Sequence, residues 1–136
     1  MKYTLNLKKL QKQIALIDTI SDQSKWKVSY DEETDSLYFS PDIIPDGFSL
    51  FSVNDDFSVF VNEKSDLGGI FIEYYKSNLT SHDKKFKPFK SFFMKQQTNK
   101  SKQQLEEKTI QFTEVLKAEL LSELALNKKS SIVIPA

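Results

Sequence analysis

The chain has 136 residues, carries 19 lysines against 19 acidic residues, and contains neither cysteine nor arginine. A single domain with extensions is expected at this length, zero net charge directs no global field toward nucleic acid or a membrane, and the missing cysteine excludes disulfide frameworks, thiol nucleophiles and Cys-based metal sites. Without arginine there is no planar fork for bidentate reading of guanine, carboxylate or phosphate, although lysine still meets a phosphate backbone as a point charge.

The charge is unevenly placed. Residues 1–30 hold six lysines against two acids, residues 31–83 two against twelve, and residues 84–108 eight against two. An acidic centre flanked by basic segments is either neutralised within the chain or offered to separate partners.

Leu7, Leu10, Ile14 and Ile17 recur at helical spacing, with Leu16 and Ile20 widening the stripe. The spacing predicts a helix over 6–20, with Asn6 as N-cap, Leu5 and Leu10 as a hydrophobic staple, and Ser21-Asp22 as its end. Residues 1–25 therefore read as an N-terminal helical extension. Lys8, Lys9, Gln11, Lys12 and Gln13 interrupt any signal-peptide core, and no apolar run reaches the length of a membrane span. A soluble, cytoplasmic protein with no membrane partner is the expectation.

Residues 26–76 organise the chain. WKVSYD, SLYFS, FSLFSV, FSVFVN and GIFIEYY are strand-length runs rich in Val, Ile, Phe and Tyr, separated by turn formers. Connections this short favour an antiparallel, up-and-down order. Alternation places Trp26, Val28, Tyr30, Leu37, Phe39, Phe48, Leu50, Phe57, Val59, Val61, Ile70, Ile72 and Tyr74 on a core face. The opposite face carries Lys27, Ser29, Ser49, Ser58 and Glu73, but also Tyr38, Phe51, Phe60, Phe71 and Tyr75. Those five aromatics are either covered by a helix of this chain or a second subunit, or they form a platform for a partner protein or stacked bases.

Residues 77–100 form a Lys/Phe-rich connection in which Lys84, Lys85, Lys87, Lys90 and Lys95 alternate with Phe86, Phe89, Phe92 and Phe93. Such interleaving suits a single-stranded nucleic-acid groove or an anionic membrane surface. It also suits a segment that crosses the domain, anchored by its phenylalanines with its lysines wet. Residues 101–136 comprise a long helix and an apolar tail. Ser101-Lys102-Gln103-Gln104 has capping-box form, and Leu105, Phe112, Leu116, Leu120 and Leu124 follow one face to about Asn127, with Lys128 and Lys129 at the negative dipole end. The tail Ser131–Ala136 is expected to add a strand in this chain, a twin subunit or a partner.

Catalytic patterns are sparse. His82 is the sole histidine, beside Asp83, with no nucleophile-elbow motif in the chain. Asp31, Glu32, Glu33 and Asp35 crowd one turn but lack the central glycine and length of a calcium loop. Gly68-Gly69 matches no phosphate-loop pattern. No enzyme activity, cofactor or metal is expected.

At Tyr30-Asp31-Glu32-Glu33-Thr34-Asp35-Ser36-Leu37-Tyr38-Phe39 the sequence resembles the opening signature of a small bacterial and archaeal family, the domain of unknown function 2283: Y-D-x-x-x-D-x-L-Y followed by an apolar residue. Asp66-Leu67-Gly68-Gly69-Ile70-Phe71-Ile72-Glu73 is similar to its closing element, with Phe71 where the family usually has Gly. The resemblance spans about residues 26–76. It implies a compact antiparallel sheet without established catalysis and, from the family's frequent position beside toxin-like genes, an antitoxin-like or regulatory binding role.

The combined expectation is an α+β fold: a five-stranded antiparallel meander with an N-terminal helix and a long C-terminal helix. The expected function is a nonenzymatic module that masks a partner, such as a basic toxin-like protein, through Tyr38, Phe51, Asp55, Asp56, Phe60, Phe71, Tyr75, Leu120 and Leu124. The alternative is a nucleic-acid accessory protein using Lys84, Lys85, Phe86, Lys87, Phe89 and Lys90. Self-association through the tail or the long helix is compatible with either.

Overall fold

The computed structural model describes residues 2–90, 93, 102–127 and 129–135. The fold is α+β. In chain order it runs β1 (Lys2–Asn6), α1 (Leu7–Ala15), α2 (Ile17–Gln23), β2 (Lys27–Asp31), β3 (Ser36–Ser40), β4 (Ser49–Ser52), β5 (Phe57–Val61) and β6 (Leu67–Glu73). A π-helical turn (Tyr75–Leu79), the short α3 (Thr80–His82) and a 3₁₀ turn (Lys87–Phe89) lead on to α4 (Lys102–Ala125) and β7 (Ser131–Pro135).

The expected N-terminal helix is present but divided. Asn6 caps α1, its side-chain oxygen accepting the Lys9 N–H at 3.0 Å, while Leu7, Leu10 and Ile14 turn into the core. The helix stops at Leu16, which is 56 % exposed, and α2 restarts with Ile17 buried. β1 was not expected. Its only sequence signal is Tyr3 and Leu5 at alternate positions, and its partner is the C-terminal tail. Leu5 pairs with Ile132 and Tyr3 with Ile134 in an antiparallel two-stranded sheet, so the tail forms its strand within this chain.

All five runs of the central region form strands of one antiparallel sheet, in the order β2-β3-β6-β5-β4. The order is not sequential: the 41–48 connection carries the chain from β3 to the far edge, and β6 returns to the middle. β6 suits that place because Leu67, Ile70 and Ile72 are fully or nearly buried and a central strand must be apolar to be covered. A bulge between Phe60 and Val61 offsets its pairing with β5 near Gly68.

In two of the runs, those of β4 and β6, side chains take the face opposite to the expected one. In β4, Phe51 pairs with Val59 and turns toward the core, whereas Leu50 pairs with Phe60 on the other face and is 48 % exposed. The β4–β5 turn sets this phase. Asn54 Oδ1 accepts the N–H groups of Asp56 and Phe57, each at 2.9 Å, and a one-residue change of register swaps every side chain. At the end of β6, Tyr74 adopts φ +54°. That left-handed step breaks the alternation, leaving Tyr74 exposed and Tyr75 buried, with its hydroxyl donating to the Phe89 carbonyl at 2.8 Å.

The core lies between one face of the sheet and the helices. Leu37, Phe39, Phe57, Val59, Ile70 and Ile72 meet Leu10, Ile14 and Ile17 from the N-terminal helices and Phe112, Leu116, Leu120 and Leu124 from α4. At 24 residues α4 is about 36 Å long. Its first two turns stand clear of the core, since burial begins at Phe112. The capping residue Ser101 and the dipole partner Lys128 lie outside the described residues. No helix among the described residues is long and apolar enough to cross a membrane.

Candidate partner-binding surface

The helices occupy one face of the sheet. The register places Tyr38 beside Phe71, Phe71 beside Ser58, and Phe60 beside both Gly69 and Leu50 on the other. Tyr38 and Phe71 touch, with ring centroids 5.0 Å apart. Tyr38, Phe60 and Phe71 are half-buried, with Leu50 open beside Phe60. Among the described residues no helix lies over this surface. Its aromatic stripe differs from the uniformly polar outer face of a typical half-wet sheet, with Leu50 its most exposed apolar side chain.

The two glycines of β6 shape one end of the patch. A Cβ on Gly68 would lie 2.4 Å from the Phe48 ring, and one on Gly69 would lie 2.8 Å from the Ser40 Cβ and 3.2 Å from the Phe60 ring. Both positions are small so that the 41–48 connection can fold onto the sheet. Phe48, expected in the core, instead packs over Gly68, and Ile43 projects from the same connection at 83 % exposure. The patch is edged by acids. Asp31 and Glu73 flank Ser36 on the same face, and Glu32 and Glu33 extend from the adjoining turn.

A groove of about 1100 Å³ opens beside β2, between α2 and the start of α4. Trp26, Val28 and Phe39 contribute apolar floor, Leu105 and Ile110 form the α4 wall, and Asp22 and Glu106 are among its acidic residues. Lys117 of α4 bonds Asp18 at 2.9 Å and Glu114 at 3.2 Å across it. These contacts raise the pKa of the Lys117 ammonium, the Asp18 hydrogen bond contributing most.

The Y-D-x-x-x-D stretch builds a latch. Asp31 Oδ1 accepts the Glu33 N–H at 3.0 Å and so shapes the β2–β3 turn. Asp35, at φ +53°, reaches the other way. Its carboxylate accepts the Tyr30 hydroxyl (2.7 Å), the Lys76 N–H (2.8 Å), the Ser77 N–H (3.0 Å) and the Ser77 hydroxyl (2.6 Å), while its carbonyl accepts the Tyr75 N–H. Desolvation pushes the Asp35 pKa upward, but the bonds from Ser77, Tyr30 and Lys76 outweigh it and hold the carboxyl below its ordinary value. Desolvation, followed by the bond to Asp35, pushes the Tyr30 phenol upward. The motif is thus a clamp between the first hairpin and the turn after β6.

The sequence-predicted site divides accordingly. Tyr38, Phe60 and Phe71 come together on the open face, and Leu50 replaces Phe51 there. Tyr75, Leu120 and Leu124 are core residues, 1 %, 0 % and 3 % exposed, and are unavailable to a partner. Asp55 is exposed, but Asp56 is occupied: it accepts the Asn78 amide at 2.7 Å and lies 3.4 Å from His82 Nε2. His82 thereby ties α3 to the β4–β5 turn.

In the basic stretch, Phe86 and Phe89 are buried against Phe112 rather than open for base stacking, and Phe93 packs on the same ring. Lys84 and Lys87 are exposed and Lys90 is half-buried, whereas Lys85 is paired with Glu119 and Asp83. Phe92 and Lys95 lie outside the described residues. Sequence reasoning missed the groove, because nothing local marks a break between two helices distant in sequence; Ile110, whose spacing broadens the apolar face of the long helix, is instead 64 % exposed and lines the groove.

No protein-family model, curated protein or solved structure matches the chain.

Proposed function

We propose that this chain is a nonenzymatic protein-binding module that acts by seating a partner on the open face of its sheet. The observation that carries the reading is the contiguous Tyr38–Phe71–Phe60–Leu50 surface, which no described helix of the chain covers. Large aromatic side chains on a rigid sheet supply contact area at low entropic cost. The acid edge of Asp31, Glu32, Glu33 and Glu73, within a region holding two lysines against twelve acids, favours a partner with a basic rim around an apolar centre. The resemblance to the domain of unknown function 2283 points the same way, toward an antitoxin-like or regulatory role in which a basic, toxin-like protein is masked. The inward phenylalanines at 86 and 89 remove the main support for a stacking nucleic-acid groove.

The test is affinity capture of the tagged chain from its source cells, with and without nuclease, in parallel with Leu50→Glu and Tyr38→Glu variants. The reading expects a near-stoichiometric protein that survives nuclease and is lost from both variants. Equal recovery on the variants, or recovery of nucleic acid whose protein companions disappear with nuclease, would overturn it.

A further inference from the structure

The sheet has two edges, and they differ. At the β4 edge, β1 approaches closely: the Tyr3 hydroxyl lies 2.7 Å from Ser49 Oγ and 3.3 Å from the Val61 carbonyl. At the β2 edge, β3 is the sole strand paired with β2 among the described residues. β2 has no proline and no bulge, two of the devices that blunt an edge, and the charges it carries are of both signs, Lys27 and Asp31. Alternate residues of such a strand direct both N–H and C=O outward.

Residues 25–33 read Lys-Trp-Lys-Val-Ser-Tyr-Asp-Glu-Glu. About Ser29 this order is antisymmetric in charge: Lys27 lies two residues before it and Asp31 two after, with Lys25 and Glu33 four residues away on either side. An antiparallel pairing of two identical β2 strands centred on Ser29 sets Lys27 opposite Asp31 and Asp31 opposite Lys27. The same register sets Val28 opposite Tyr30 on the core side, a β-branched–aromatic cross-strand pair. Both faces of the edge are self-complementary in one register, as a twofold contact requires. Lys27 is available for it, since its ion pair with Asp42 is 3.7 Å long and about three-quarters exposed. Asp31 is exposed and retains Oδ2 while Oδ1 shapes its turn.

We propose that two copies of this chain associate through their β2 edges, antiparallel about Ser29, to form one continuous ten-stranded sheet. The contact shares Asp31 with the acid edge of the open face but lies apart from its Tyr38–Phe71–Phe60–Leu50 surface, so each copy still offers that surface and the dimer is bivalent toward a partner.

Sedimentation velocity of the purified full chain over a concentration series tests this, together with Lys27→Asp, Asp31→Lys and the double variant. The expected result is a reversible dimer. Each single reversal creates two repulsive pairs across the twofold and weakens association by about tenfold or more, while the double variant restores it. Circular dichroism checks that each variant is folded. Because Asp31→Lys also removes a turn bond, amide hydrogen exchange of the native chain supplies an independent reading: amides in residues 27–31 gain protection as concentration rises. A monomer at every concentration, a dimer indifferent to Lys27→Asp, or a dimer whose β2 amides exchange as in the monomer would overturn the proposal. The open-face reading fails separately, through the Leu50→Glu and Tyr38→Glu captures.

Discussion

Replacing Asp35 separates backbone strain from hydrogen bonding at one residue. Its side chain accepts four hydrogen bonds, at 2.6–3.0 Å, and its backbone sits at φ +53°. Each bond to a charged group contributes roughly 1.5–3 kcal/mol when shielded. The site is only partly buried, so water and screening reduce the sum to about 2–3 kcal/mol. A left-handed conformation costs alanine about a further 1 kcal/mol, while glycine adopts it freely and asparagine tolerates it. Asp35→Ala is therefore expected to lose about 3–4 kcal/mol, Asp35→Gly less by the backbone contribution, and Asp35→Asn least, since one acceptor oxygen remains. Urea unfolding followed by Trp26 fluorescence measures this, because Trp26 is the only tryptophan and packs edge-on to Phe39 at 5.2 Å.

The pH dependence adds a check on cause. The folded carboxyl titrates below its ordinary value, so its contribution is complete above the unfolded pKa and is lost as pH falls through the lower, folded one. The stability gap between the native chain and Asp35→Asn should be constant near neutrality and close in acid. Three variants as stable as the native chain at neutral pH, or a gap unchanged into strong acid, would refute the clamp.

Tyr75→Phe should destabilise by about 1–2 kcal/mol, because the buried Phe89 carbonyl loses its 2.8 Å donor; thermal unfolding reads this as a lower Tm. Leu120→Ala should cost about 2–5 kcal/mol, whereas Ile110→Ser, on the exposed side of the same helix, should stay within about 0.5 kcal/mol. Equal effects in urea titrations would contradict the assigned face of α4. Gly68→Ala forces the Phe48 ring aside and is expected to cost about 1–3 kcal/mol, with changed Phe48 resonances in NMR spectra. Deleting residues 131–136 removes the whole partner of β1 and should expose Leu5, detectable as faster amide exchange in residues 2–6.

The sequence by itself determined the elements whose signals are local. Strand-length apolar runs broken by Asp, Asn, Pro and Gly specified five strands, Asn6 specified a cap, and the Leu105-to-Leu124 spacing specified a long helix. The pairing of Tyr30 and Leu37 on the core face followed from alternation across a short turn. Tertiary structure decided what depends on distant segments. The middle position of β6 depends on how the 41–48 connection crosses the sheet, and the pairing of β1 with β7 joins opposite ends of the chain. Period-two alternation carries no absolute phase across a loop, so the Asn54 turn and the left-handed Tyr74 exchanged Leu50 with Phe51 and turned Tyr75 inward. The same limit governed the site. Tyr38, Phe60 and Phe71 share a face because three strands align, whereas Phe86, Phe89, Leu120 and Leu124 have the composition of a binding stripe but complete the core, since burying apolar area is favourable wherever chain geometry allows it.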